Sequence, residues 1–280
     1  MLSIRMSDTS FPARIHVLIP SQSERAVVVR RGPSKYTGVF SWNTRTDEIT
    51  SGQWLKGRIY ERRSDVSPDG EHWIYFAMNG HWSSESKGSW TAIARAPFLK
   101  AVEFFPKGDC WYGGGLFLDN RSYWLNDGYG HERSSSSNKL SRVDTVEWLQ
   151  NYGGECPGVY YNRLQRDGWT LTGRGSNGRH DEWALFEKPA GAKWTLRKIC
   201  HEQIGAPKGK GCYWDEHALV SASGESLELT GGEWADVVGR SVVFAKDGCL
   251  HRLADLEDRR SETLIRDFND HKFENVVAPY

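Results

Sequence analysis

A strand–turn–strand cassette recurs along this chain at roughly 40-residue intervals, and no other feature restricts the fold as much. The clearest copy is Val66-Ser67-Pro68-Asp69-Gly70 followed by Trp73-Ile74-Tyr75-Phe76. Related copies are Phe104-Phe105-Pro106-Lys107-Gly108 before Trp111-Tyr112, Tyr160-Tyr161 with Asp167-Gly168 before Trp169, and Val242-Val243-Phe244-Ala245 with Asp247-Gly248 before Leu250. Glycine suits the tight turn because it adopts positive φ without steric cost. A unit of this size cannot bury its apolar face alone, so neighbouring units must cover one another.

With the turn glycine as marker, Gly32, Gly70, Gly108, Gly168, Gly211 and Gly248 are spaced by about 40 residues, apart from an interval of about 60 between Gly108 and Gly168. One four-stranded blade per marker predicts an all-β protein, a β-propeller of six blades with five or seven as the alternatives. The long interval implies an insertion near residues 134–152. There Leu140, Val143, Val146 and Leu149 recur at helical spacing after the polar run Arg133-Ser134-Ser135-Ser136-Ser137-Asn138, which predicts a short helix. Arg14 to Ile19 and Glu274 to Ala278 read as strands from opposite ends, expected to share a closing blade.

The chain of 280 residues shows no linker, so residues 1–280 are expected to form one domain. Lys plus Arg and Asp plus Glu both number 36, which argues against general nucleic-acid binding while leaving room for a local patch. No apolar run reaches the ~20 residues a membrane helix needs, and the first residues lack the apolar stretch of a secretory signal. A cytoplasmic protein without membrane contact is the expectation. The five scattered cysteines read as reduced, mostly buried thiols.

Catalytic motifs are lacking. There is no Gly-x-Ser-x-Gly elbow and no motif that singles out a pair of carboxylates. Cys200, His201, Cys212 and His217 are zinc-compatible residue types, but without paired short spacing they are expected to be packed or solvated side chains. The glycine-rich basic stretches from Gly173 to His180 and from Gly205 to Gly211 could hold an anion, though neither has the phosphate-loop spacing. No cofactor or metal is expected.

The segments entering the presumed innermost strands would place Arg62, Lys100, Asp236 and Glu274 around one mouth of the ring. Trp82, after the Asn79-Gly80 turn, is the best candidate for an exposed aromatic. These five form the predicted binding set.

The stretch from Val66 to Phe76 resembles the blade signature of TolB-type and WD-repeat-like bacterial propellers, in which Ser-Pro-Asp-Gly precedes an apolar strand. Ser67, Asp69, Gly70 and Trp73 are also similar to the Asp-box of sialidase-like propellers, with one residue fewer between Asp and Gly. The first resemblance implies a ring used as an interaction surface and carries over no catalytic residue. The expected function is therefore non-enzymatic recognition of a protein partner through one face, as in an inhibitor or immunity-type protein. A propeller hydrolase or lyase with a polar or metal site at the channel mouth, and a carbohydrate or small-ligand binder, are the alternatives.

Overall fold

Each of the chain's principal sheets is built from consecutive strands, and a computed structural model arranges five of them as the blades of a β-propeller. It describes residues 11–33, 35–128, 133–135, 137–153, 155–205, 210–229 and 232–280. Blade I contains β1 (Arg14–Leu18), β2 (Arg25–Arg31), β3 (Tyr36–Asn43) and β4 (Ile49–Lys56). Blade II contains β5 (Arg58–Ile59), β6 (Asp65–Val66), β7 (His72–Met78), β8 (Ser89–Arg95) and β9 (Ala101–Pro106). Blade III is small: β10 (Gly115–Phe117), β11 (Ser122–Leu125) and β12 (Ser141–Arg142). After helix α1 (Pro157–Arg166), blade IV contains β13 (Thr170–Gly178), β14 (Asp181–Ala190), β15 (Trp194–Gln203), β16 (Tyr213–Ser221) and β17 (Ser226–Glu228). Blade V contains β18 (Gly232–Val238), β19 (Ser241–Lys246), β20 (Cys249–Leu253) and β21 (Glu262–Asp267).

The strands read as near-continuous apolar runs where they are covered on both faces. Ala26 to Arg30 in β2 and Trp73 to Ala77 in β7 are buried without interruption, because a blade has a neighbour on each side. Trp73 stacks on Tyr75 at 4.3 Å between ring centroids, and both polar tips are satisfied by the carbonyls of Phe98 and Leu99. Full burial of each such side chain contributes about 1.5–3 kcal/mol. The Asp247-Gly248 turn is the two-residue hairpin expected from its sequence, with φ of 51° and 78° and Lys246 paired with Cys249.

Five blades replace the expected six because the marker glycines are not equivalent. Gly70 joins β6 to β7, whereas Gly108 lies beyond β9 at the exit of the same blade. Gly168 and Gly211 both belong to blade IV, whose strands β14 and β15 are 10 residues long and use up two markers. The helix also differs from expectation. Residues 134–152 contain no helix among the described residues, and α1 begins at Pro157, where proline costs no hydrogen bond in the first turn.

Closure differs as well. Blade V packs β18 and β19 against β1, and Asn269 Oδ1 accepts from the Ala13 amide at 2.9 Å, but no strand is exchanged. Residues 274–279 form a strap without strand structure, tied to blades I and II by Gln53 Nε2 donating to Val276 O at 2.9 Å and by the Tyr280 hydroxyl donating to Lys100 O at 2.6 Å.

Candidate functional site: the ring axis

Two irregular segments project polar side chains into the middle of the ring. The inner edge of blade II breaks between β5 and β6 into a 3-10 turn, Glu61–Arg63, which turns both Arg62 and Arg63 inward. Helix α1, in contact with β10 and β13, presents Tyr160, Arg163 and Arg166 at three-residue spacing along one face. From blade IV, the face that buries Leu196 and Leu219 also carries Lys198 and Cys200 of β15, paired with His217 and Asp215 of β16.

These groups form a buried polar plug. Arg62 Nη2 donates to Asp215 Oδ1 at 2.5 Å, and the Tyr160 hydroxyl donates to Asp215 Oδ2 at 2.8 Å. Burial disfavours the Asp215 carboxylate, but the charges of Arg62 and Lys198 with the Tyr160 hydrogen bond outweigh it and hold the group below the usual carboxylate range. Arg166 grips Asp65 through two bonds of 2.6 and 2.8 Å. Arg63 donates to the carbonyl of Cys110 and to Glu155.

Two cations make no direct salt bridge among the described residues, although Lys198 lies within the fields of Asp215 and Asp236. Arg163 is 5% exposed and donates to the carbonyls of Glu61 and Ser64, with Nη2 3.0 Å from His16 Nε2. Lys198 is 1% exposed, with Nζ 3.3 Å from the Tyr160 hydroxyl and 4.4 Å from the centre of the Trp169 ring. Neither forms an ion pair with a carboxylate among the described residues. Burial lowers the Lys198 pKa, and burial with the fields of Arg163 and Lys198 takes His16 well below its ordinary value.

Residues of the plug line two cavities. The larger, about 530 Å³, is lined among others by Arg163, Arg166, Lys188, Lys198, Trp234 and Asp236. The smaller, about 240 Å³, touches Arg14, Arg31, Arg62, Lys210, Asp215 and Glu233. Burial raises the Glu233 carboxyl to about 7 against the opposing pull of Arg14 and Arg31.

The four residues expected at one mouth do not share it, while Trp82 is exposed as expected. Arg62 lies at the smaller cavity and Asp236 at the larger, where its carboxylate is 2.7 Å from Lys188 Nζ. Lys100 is on the outer edge of blade II, with its ammonium directed to the Tyr280 carbonyl oxygen. Glu274 is exposed on the strap, and Trp82 is 53% exposed on the β7–β8 connection. The scatter has a simple cause: the segments likened to one another are not equivalent, Arg62 standing before β6, Lys100 before β9, Asp236 within β18 and Glu274 outside any strand.

Sequence reasoning missed Tyr160, Arg163, Lys198 and Asp215. One signal was present, since Lys198 sits on β15 at the same parity as Leu196 and Cys200, where a core residue is expected. The stretch from Gly173 to Gly178 is a strand rather than an anion-binding loop, and Gly175 lies against the Trp183 ring. Of the second basic stretch, Lys210 reaches the smaller cavity and residues 206–209 lie outside the described residues. Among the described residues, no group of three or more His, Cys, Asp or Glu side chains is placed to hold a metal ion. No helix among them is long and apolar enough to cross a membrane.

Comparison with known proteins brings no relative to this arrangement: no family model, no curated protein and no solved structure matches the chain. The fold class is that of a five-bladed propeller with a helix in its polar centre.

Proposed function

We propose that this protein binds a small anionic ligand, a carboxylate or a phosphate, in the larger axial cavity. One observation carries the reading: Arg163 and Lys198 are both buried, both line the cavity, and neither has a carboxylate partner among the described residues. A buried charge is costly unless it is paired, so a site with two cations that touch no carboxylate favours an anion. The volume of about 530 Å³ suits a small molecule. Arg166 and Lys188 already face Asp65 and Asp236, which leaves Arg163 and Lys198 to discriminate by charge.

The test is thermal stabilisation by a panel of phosphate, phosphate monoesters, dicarboxylates and uncharged sugars. A ligand at about 100 times its Kd adds about 2.7 kcal/mol to the folded state. Anions are expected to raise the Tm of the native protein, and Lys198→Met to abolish the rise. Stabilisation by sugars alone, or an unchanged anion response in Lys198→Met, overturns the reading.

Recognition of a partner protein is the second reading, and the exposure of Trp82 at 53% and Trp111 at 58% favours it. Large aromatic side chains left in solvent are characteristic of partner surfaces. It is tested by crosslinking from each tryptophan position to material from the native host, with a residue on β13 as the negative control.

A further inference from the structure

Another cavity lies away from the axis, at the seam between blades I and II. Arg31, Lys35, Lys56, Arg58 and His81 line a cleft of about 520 Å³ whose remaining walls are Gly32, Thr37, Gly57, Met78 and Asn79. No carboxylate lines it. In a chain with 36 basic and 36 acidic residues, that segregation of sign is a local property and not a consequence of net charge.

Arg31 is neutralised by Glu61 at 2.7 Å. Lys35, Lys56 and Arg58 are exposed and touch no carboxylate among the described residues, although Arg58 as well as Arg31 acts on Glu61. The cleft is held open by backbone structure: the Gly57 amide donates to Lys35 O at 2.9 Å, and the Thr37 hydroxyl donates to Gly57 O at 2.9 Å. These bonds tie the ends of β3 and β4 together, so the cations stand on a rigid base. Arg58 is further restrained by lying over the Tyr60 ring at 4.6 Å.

The aromatic that follows the cleft residue His81 in the chain is equally constrained. Trp82 follows His81 in the chain, and Gly88 packs against its six-membered ring so closely that a Cβ there would meet Trp82 Cε3 at 2.4 Å. Gly88 has a φ of +79°, which serves this approach. The indole is thereby braced on one side while half of its surface remains in solvent.

We infer that the cleft between blades I and II receives a short acidic segment of a partner protein, with Lys35, Lys56 and Arg58 meeting its carboxylates and Trp82 serving as an apolar anchor beside them. The inference rests on the partner-binding reading and is independent of the axial ligand. A peptide fits better than a nucleic acid. A bound strand needs cations spread along a backbone track, whereas here they converge in one cleft and Glu85 follows nearby on the Trp82 loop. Complementary charge at such a rim governs association rate and its salt dependence.

The experiment measures fluorescence anisotropy of a labelled oligoglutamate peptide with the intact protein, beside oligothymidylate and inorganic phosphate as competitors. Binding of the peptide that weakens between about 50 mM and about 200 mM salt is expected. The double variant K56E/R58E should weaken it at least ~10-fold by adding repulsion at the rim. K246E, an exposed charge change on blade V, should leave it unchanged, and an unaltered Tm in both variants excludes misfolding. Trp82→Ala separates the two readings. If it alone weakens peptide binding while K56E/R58E does not, partner recognition survives and the acidic cleft is refuted. Equal binding by K56E/R58E, tighter capture of oligothymidylate than of peptide, displacement by phosphate alone, or no peptide binding at low salt each overturns the inference.

Discussion

Arg62 of blade II and Asp215 of blade IV are separated by 153 positions in sequence and meet at 2.5 Å in the centre of the ring. The pair joins blades that are not neighbours in the ring. With Tyr160 on the other carboxylate oxygen, it fastens α1 to both sheets. Removing one partner leaves the other charge buried. D215L is therefore expected to cost about 3–5 kcal/mol, and R62M/D215L much less than R62M and D215L together. Urea unfolding of the four proteins of this cycle measures it, and additive losses would show that the two side chains are not coupled.

Lys198 should behave in the opposite way. Its ammonium is buried without a direct carboxylate contact, and burial outweighs the fields of Asp215 and Asp236, so Lys198→Met keeps the apolar stem and removes a costly charge. The ligand-free variant is expected to be as stable as the native protein or up to about 2 kcal/mol more stable. A large loss of stability would show that Lys198 is compensated in the native protein.

Acid stability follows from the buried imidazoles. Burial, reinforced by Lys198, takes His217 down to about 3, while an unfolded histidine titrates near 6.5. Between these values the unfolded chain binds a proton that the native state refuses. Stability is thus complete above about 6.5 and declines as pH falls, by up to about 1.4 kcal/mol per pH unit for this group. His16 acts with the same sign. Glu233 acts oppositely: with its carboxyl raised to about 7, its contribution is present at low pH and is lost as pH rises through that value. Urea midpoints across pH 4 to 8 should show a shallower acid decline in His217→Gln and a gain above pH 7 in Glu233→Gln.

Gly114 has a φ of +76°, and a Cβ there would lie 1.8 Å from the carbonyl oxygen of Arg63. Both atoms belong to fixed backbone, one entering blade III and the other following the inward turn of Arg62 and Arg63. Gly114→Ala is expected to cost at least ~3 kcal/mol, from strain at positive φ together with displacement of that turn. Gly239, at φ +62° with open space around it, should lose only about 1 kcal/mol on the same change. Paired thermal melts decide whether the difference holds.

The strap from Phe268 to Tyr280 crosses three blades. Arg30 donates to the Phe268 and Asn269 carbonyls at 3.1 Å, and Tyr280 receives the Arg95 amide at 3.0 Å. Deleting residues 276–280 removes the bonds to Gln53, Arg95 and Lys100, each worth about 1 kcal/mol net. A Tm loss much larger than several such bonds explain would mean that the strap also keeps the ring closed.

How far the sequence reaches is clear from particular residues. Asp247-Gly248 and the apolar run from Trp73 to Phe76 announce a turn and a buried strand because both depend on neighbours a few positions away. The all-β class and the propeller followed from repeating such units. Sequence alone could also have marked Lys198 as an ion at a core position.

The blade count, the position of α1 and the composition of the polar centre were decided only in three dimensions. Gly108 and Gly70 look alike along the chain, yet one ends a blade and the other turns within it, and only sheet pairing distinguishes them. Likewise, nothing local to Arg62 announces Asp215. The turn at Glu61–Arg63, the helix and blade IV assemble that pair through contacts between distant segments, and no short-range period records a partner so far along the chain.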